Sequence, residues 1–510
     1  MHGRIIAAAL LLCAATGTVT ELAAQNTATQ RLVSSYSGKE PLRSGVFGVL
    51  AVRGADTLAQ YNRMQKMVPA SNVKLITTGL ALTRLGEDRR FSTTLSYSGS
   101  IAVDGTLDGD LYIVGGGDPT IGAGTPCADS LGRTFAVWKA LIDSAGIKAV
   151  NGRVVGDPRF FSRPYHGMSW QVDDLGWNYG AGPSGLSVFQ NAQTFTVEPA
   201  GVDAPPVITP LYPDTPWMVY TNSAVTGEAR SANTLFYQDT DFGPYGEFFG
   251  SFPADRKSYI LPCSNAFGAY TCAYLFHNYL TGNGVAVSGG YADISPSGNI
   301  RGDLRSGAEG PAAASPDSLV KIGSAVSPVL RSIVKDTNYI SDNFYAETLF
   351  NMLPLALYGK ADRQLADRAE REMLSSMGLR TGNACVLVDG SGLSRKNYVS
   401  PEYFVRFLRK MYSGRVRGAY VESLPSPGTK STLRNRMGKA SLEVKNRVKM
   451  KSGSMNGVVC FSGYILPAKG SQTQEPVVFS ILTNDIGGAS SASSVYAIID
   501  EIILSLAQEP

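Results

Sequence analysis

The sequence predicts an α/β (α+β) domain assembled from the two ends of the chain, with a β-rich middle inserted into it. Three observations predict this. Strand-like runs and amphipathic helical patterns occur at both ends. From about residue 92 to 304 the chain turns to short alternating runs rich in Gly, Thr, Tyr and Pro. The stretch "RSGAEGPAAASPDS" (305–318) then marks a return to helical patterns. At 510 residues the chain is too long for one ordinary core. The expected layout is therefore a leader over 1–24, one domain from 25–91 and 305–510, and an insertion over 92–304.

The N-terminus carries Arg4, an apolar run from Ile5 to Cys13 and a small-residue exit at Ala23 and Ala24, the layout of a cleaved secretory signal. Leu12 stands where lipid attachment at Cys13 wants a small residue. "VFGVLAVRGADTLAQYN" (46–62) reads as two strands about a Gly-Ala-Asp turn, and "PASNVKLITTGLALTRLG" (69–86) as a helix. In the middle, "GRVVGD" and "AQTFTVEP" read as strands. Helices follow in "VSPVLRSIVKD", "ADRQLADRAEREMLSSMG" and "SPEYFVRFLRKMYSG", the last with Ser400 as cap and Pro401 at its first position. "GVVCFSGYILP" and "EPVVFSILTN" are strands joined by the turn "AKGSQTQ". "SSVYAIIDEIILSLAQ" closes the chain as an amphipathic helix; Asp500 and Glu501 give it an acidic face, so it is expected to pack on a sheet.

With 46 basic and 42 acidic residues the net charge is +4, and there is no dense Lys/Arg run, which argues against nucleic acid as partner. No run beyond the leader is long enough to span a bilayer, so an exported, soluble mature chain is expected. Export implies an oxidising compartment. Beyond Cys13 there are five cysteines; Cys263 and Cys272 in "CSNAFGAYTC" are spaced to close a short loop, while Cys385 and Cys460 read as buried thiols.

Histidine is scarce. Past the leader only His166 and His277 remain, both beside aromatic residues, and no G-x-S-x-G elbow is present. A Ser-His-Asp triad and a zinc site are both poorly served. Ser71 and Lys74 offer another route, because three residues apart on a helix is one turn. The S-x-x-K pattern recurs at Ser318 to Lys321 and Ser332 to Lys335, but only Ser71 follows a Pro-Ala turn and opens a long apolar helix. A lysine base must be neutral, which requires its pKa to fall about three units, ~4 kcal/mol. Burial and a second cation achieve this. Two further stretches supply a suitable cluster: "SDN" (Ser341, Asp342, Asn343), with a hydroxyl and an amide, and "KSGS" (Lys451, Ser452, Gly453, Ser454), with a cation, a hydroxyl and a residue leaving room for a ligand backbone. Singly each triplet has decoys in this chain; in order they are far more specific.

S-x-x-K, S-D-N and K-[ST]-G in this order resemble the active-site set of penicillin-binding proteins and serine β-lactamases. The 267 residues from Lys74 to Ser341 resemble one branch, the D-alanyl-D-alanine carboxypeptidase/endopeptidase family of peptidase S13. "PASNVKLIT", "LYIVGGGDPT", "SDNFYAETL", "VDGSGLSRKNYVSP", "TLRNRM" and "SGSMNGVVCFSGYI" are similar to that family's pattern. Ser452 stands where the usual triplet has Thr. The resemblance implies a penicillin-binding/β-lactamase-type domain with an antiparallel sheet flanked by helices. It also implies a cofactor-free, metal-free acyl-enzyme mechanism on peptidoglycan stem peptides ending in D-Ala-D-Ala, inhibited by β-lactams. Ser71 is then the nucleophile, Lys74 its base and Ser341 the proton relay. Asn343, Lys451, Ser452 and Ser454 bind substrate, and the N–H groups of Ser71 and Ser454 form the oxyanion hole. The rivals are a serine β-lactamase, for which no E-x-x-L-N-like element is found, and an idle cell-wall sensor.

Overall fold

A computed structural model describes residues 27–240 and 242–509. The expected leader and Cys13 lie outside these. The chain divides into two compact units: the first takes the chain up to Glu87, Val334–Asp342 and everything from Asp367 on, and the second takes Asp88–Ile333 and Asn343–Ala366.

The first unit holds α1 (Ala28–Ser37), β1 (Val46–Arg53), β2 (Asp56–Tyr61), α2 (Val73–Leu85), α3 (Pro401–Tyr412), β3 (Val448–Met455), β4 (Val458–Ile465), β5 (Val477–Asn484) and α4 (Ala489–Gln508). The strands form one antiparallel sheet in the order β2-β1-β5-β4-β3. Strand alternation divides its two faces. Val49, Phe461, Phe479, Ile481, Val448 and Met450 pack in one cluster with Ile499, Ile502, Ile503 and Leu506 of α4. The expectation that no run beyond the leader is long enough to span a bilayer is corrected: α4 is long and apolar enough by length and composition, and its apolar residues are packed on the sheet. The opposite face carries α3, tied down by Tyr464 Oη donating to Leu408 O at 2.8 Å. Helices on both faces leave β4 and β5 buried along their whole length, which is why they read as continuous apolar runs. The cap of α3 is as expected: Ser400 Oγ accepts from Tyr403 N at 3.2 Å, with proline following.

On the α3 face Lys451, Ser462, Ser480 and Leu50 form one row across the sheet. Being at the edge, β3 leaves one side free for the turn that carries Ser71.

The second unit is built on a six-stranded sheet that runs Ile300–Arg301, Tyr291–Ile294, Val154–Asp157, Leu111–Val114, Ser92–Tyr97, Val320–Val326. Smaller sheets, one including Ala192–Glu198, accompany it. The middle of the chain also contains two long helices, Leu131–Ser144 and Gly268–Gly282, that the mainly β expectation passed over. The physical reason is parallel pairing. Val154–Asp157 pairs in parallel with both Leu111–Val114 and Tyr291–Ile294, and parallel neighbours need a crossover, usually helical. Trp138 and Phe276 of these helices meet edge to face at 5.2 Å in the unit's core. Val320–Val326, beyond the 305–318 stretch, pairs with Ser92–Tyr97 and so belongs to this unit.

The expected Cys263–Cys272 bridge is corrected. Both are free thiols, as are Cys385 and Cys460. Cys263 lies among Phe195, Tyr237 and Phe248, whereas Cys272 lies among Trp138, Ile142 and Phe276. Two side chains buried in separate clusters cannot share a bond, however near they are in sequence.

Candidate active site

Ser71 sits in a single helical turn, Ala70–Asn72, that runs straight into α2. Ala70 has φ +46°, a left-handed conformation rare for a residue with a Cβ. Two glycines hold the turn in place. A Cβ on Gly392 would lie 2.0 Å from Ala70 O, and one on Gly453 would lie 2.7 Å from Pro69 O and 2.9 Å from the backbone nitrogens of Ser71 and Asn72. The space at Gly453, expected to admit a ligand backbone, is thus filled by the chain's own Ser71 turn. Below it Asn72 Nδ2 donates to Ser462 Oγ at 2.9 Å, and Ser462 Oγ donates to Ser480 Oγ at 2.9 Å, pinning the turn to the sheet.

One turn into α2, Lys74 is fully buried and its Nζ donates to Ser71 Oγ at 3.0 Å and to Ser391 O at 2.7 Å. The Ser391 carbonyl comes from a loop organised by one buried carboxylate. Asp389 accepts from Gly392 N at 2.9 Å, Ser394 N at 2.7 Å and Asn397 Nδ2 at 2.8 Å. Thr77 Oγ1 donates to Gly390 O at 2.7 Å and ties this loop to α2.

Lys451, also fully buried, donates from Nζ to Ser341 Oγ at 2.9 Å and to Ser452 O at 2.7 Å. Ser341 is held at φ +60° between two helices. Burial, and after it the charge of Lys74, holds the Lys451 amine well below the ordinary lysine range. The pairing of a buried amine with a second cation, required from the sequence, is therefore present, and the shift it causes is seen on Lys451. Ser452 Oγ shares a hydrogen bond of 2.9 Å with Thr432 Oγ1. Ser454 follows Gly453 on the exposed edge of β3.

Ser71, Lys74, Ser341, Lys451, Ser452 and Ser454 all lie in the first unit. Asn343 opens the helix Asn343–Met352 of the second unit, where its Nδ2 donates to Tyr179 O at 3.0 Å. His277 is in the second unit too, its ring 5.6 Å from that of Tyr291, as is His166. Neither histidine shares a unit with Ser71. Residue-type reasoning missed the Ser391 carbonyl, the Asp389 hub and Thr432. A main-chain carbonyl has no signature of its own, and the only sequence signal was the local patterns "VDGSGLSRKNYVSP" and "TLRNRM" that contain them. Chemically, the arrangement sets a hydroxyl against one buried amine, beside a second hydroxyl bonded to a second buried amine.

Three comparisons bear on this geometry. The model of the "D-Ala-D-Ala carboxypeptidase 3 (S13) family" matches residues 30–505. The chain is 29% identical over 479 residues, 92% of this chain and 82% of the relative, to the D-alanyl-D-alanine carboxypeptidase of Actinomadura sp. (strain R39). It is 26% identical over 449 residues, 86% of each chain, to the D-alanyl-D-alanine carboxypeptidase DacB of Haemophilus influenzae. Among solved structures, penicillin binding protein 4 of Haemophilus influenzae superposes with a TM-score of 0.77 at 23% identity, covering 93% of this chain and 99% of that one. The two share one fold: an antiparallel sheet flanked by helices, with β-rich additions. A structure of that protein complexed with a β-lactam gives a TM-score of 0.69 at 22% identity, over 93% and 98% of the two chains.

Proposed function

From the premise that this chain belongs to the D-Ala-D-Ala carboxypeptidase 3 (S13) family, and is a serine-type hydrolase of that class, we propose an acyl-enzyme mechanism centred on Ser71. The substrate is a peptidoglycan stem peptide ending in D-Ala-D-Ala. Lys74 Nζ, 3.0 Å from Ser71 Oγ, takes the hydroxyl proton as the oxygen attacks the penultimate D-Ala carbonyl. The N–H groups of Ser71 and Ser454 receive the oxyanion. As the tetrahedral intermediate collapses, the proton held by Lys74 is relayed through the Ser341 hydroxyl to the departing D-Ala amine, leaving Lys74 neutral and Ser341 protonated, and Lys451 keeps that hydroxyl oriented through its 2.9 Å bond. Lys451 and Ser452 hold the terminal carboxylate, and Asn343 the peptide amide. Water then cleaves the ester and restores Ser71. The same steps serve an endopeptidase cut, where the leaving amine belongs to a cross-linked neighbour.

The observation that carries this reading is one buried amine on the Ser71 hydroxyl beside a second buried amine on the Ser341 hydroxyl. In this reading the first unit is the peptidase domain, and Asp88–Ile333 the insertion. β-Lactams acylate Ser71 and leave slowly, and the leader over 1–24 directs the protein across the cytoplasmic membrane to the periplasm or its equivalent. Incubation with a tripeptide ending in D-Ala-D-Ala, followed by mass spectrometry, is expected to show loss of one D-Ala. Labelled penicillin is expected to map to Ser71 and to persist. Rapid penicillin turnover instead points to a β-lactamase, and peptide bound without D-Ala release points to a sensor; either result overturns the proposal.

A further inference from the structure

A cavity of about 610 Å³ opens in the first unit, lined by residues that take no part in the site above. Its floor is apolar, formed by Val52 of β1, Pro476 and Val478 of β5, and Leu379. Val52 pairs with Val478 on strands at least two strand spacings, about 10 Å, from β3, the strand that holds Lys451. Its walls carry Arg406, Arg409, Lys410 and Arg417, against one carboxylate, Glu475.

Four cations against one anion is an expensive convergence in a concave surface, because each raises the potential felt by the others. No ion pair engages any of the four among the described residues. Helix chemistry accounts for part of the group: Arg409 and Lys410 occupy the last turn of α3, where positive charge complements the helix dipole. It does not account for Arg406 one turn earlier, nor for Arg417, which lies beyond the helix. The Arg417 guanidinium is stacked on the Tyr412 ring at 3.9 Å from its centroid and donates to Tyr412 Oη at 2.5 Å, so its position is set before any ligand arrives. Arg406 lines the cavity and makes one long bond of 3.4 Å to Gly378 O.

We infer that this cavity binds a phosphate ester, the arginine forks taking its oxygens and the apolar floor covering its organic body. Planar guanidinium groups match tetrahedral oxyanions two bonds at a time, and a phosphate carries more charge and more acceptor oxygens than a single carboxylate. Glu475 repels any anion, so a singly charged ligand gains less here than a doubly charged one. The cavity is several times larger than a phosphate alone requires, which is why the ligand needs a body and why the floor is apolar. This chemistry is met in a soluble phosphate monoester or in the phosphomonoester headgroup of an anionic lipid. The inference does not depend on the peptidase reading, because the two sets of residues do not overlap.

The test uses the mature protein and a variant, Arg406→Gln/Arg409→Gln/Arg417→Gln, whose changes are all at exposed positions. Glycerol 1-phosphate is titrated by calorimetry, and vesicles containing phosphatidic acid, whose headgroup is a phosphomonoester, with phosphatidylcholine vesicles as control, are assayed by co-sedimentation. Binding to either probe is expected to fall at least tenfold in the variant and to weaken with salt, while Glu475→Gln strengthens it. Penicillin labelling of the variant, expected at the wild-type rate, reports that the fold is intact. Binding of the soluble ester assigns the ligand to solution, and binding of phosphatidic acid vesicles alone assigns it to a membrane headgroup; both support the site. No binding of either probe by the wild type, or binding that the variant retains, overturns it.

Discussion

The two units bury charge in opposite ways. In the second unit buried carboxylates meet arginine forks: Asp157 takes two bonds from Arg159 at 2.7 and 2.9 Å, and Asp293 takes two from Arg301 at the same distances. In the first unit the fully buried pair is Lys74 and Lys451, charges of one sign, held by hydroxyl and carbonyl oxygens. Opposite charges repay part of their own desolvation; like charges add repulsion to it. A fold has no structural use for the second arrangement, and in the proposed reading it is the place where stability is given up for chemistry.

Substitutions can break that contrast, and the largest effect is expected at the nucleophile. Ser71→Ala should abolish labelling by fluorescent penicillin and lower D-Ala release by at least ~10³-fold, with melting temperature unchanged or higher. Next comes the structural pair: Arg301→Met leaves Asp293 buried without its fork and should cost about 3–5 kcal/mol by urea denaturation. The double change Arg301→Met/Asp293→Leu should recover much of that loss.

Lys451→Met should do the reverse of Arg301→Met, stabilising the protein while abolishing carboxylate recognition. The sign follows from the lowered pKa. Below about 10.5, the ordinary lysine value, the unfolded chain binds the proton more readily than the folded one, so wild-type stability falls as pH drops through that window. The gain in Lys451→Met should therefore be largest near neutrality and vanish above the window, as thermal denaturation at a series of pH values will report.

The smallest effect concerns a carboxylate that departs from its unit's habit. Asp118 is buried, accepts from Thr120 N at 2.8 Å and from Thr120 Oγ1 at 2.6 Å, and burial pushes its pKa up to about 6. A raised carboxylate contributes stability below its unfolded value of about 3.8 and loses it as pH rises through 6. Asp118→Asn should therefore melt a few degrees higher than wild type at pH 7.5, and the difference should disappear by pH 4.

Much of the first unit was legible because its signals are local. The hairpin over 46–61, the β4–β5–α4 sequence and the Ser400-Pro401 start of α3 follow from alternation, helical periodicity and turn or cap residues within a few positions of one another. The second unit was less so. Its helices at 131–144 and 268–282 serve parallel strand pairs, and which strands pair is not written in any one of them. The Cys263–Cys272 expectation failed for the same reason: nine positions of sequence separation say nothing about which core each side chain enters.

By itself the sequence determined that Ser71 and Lys74 share one face of one helical turn, since 3.6 residues per turn leaves them no alternative. It also held the remaining hydroxyls and amine in their order along the chain. Tertiary structure alone decided that the Lys74 amine rests on a carbonyl 317 residues away and the Lys451 amine on a hydroxyl 110 residues away. It decided too that two glycines fit around the Ser71 turn where any side chain collides. Distances within a turn are set by covalent geometry, whereas distances between remote segments are set by whether enough apolar surface is buried to offset closing the loops between them.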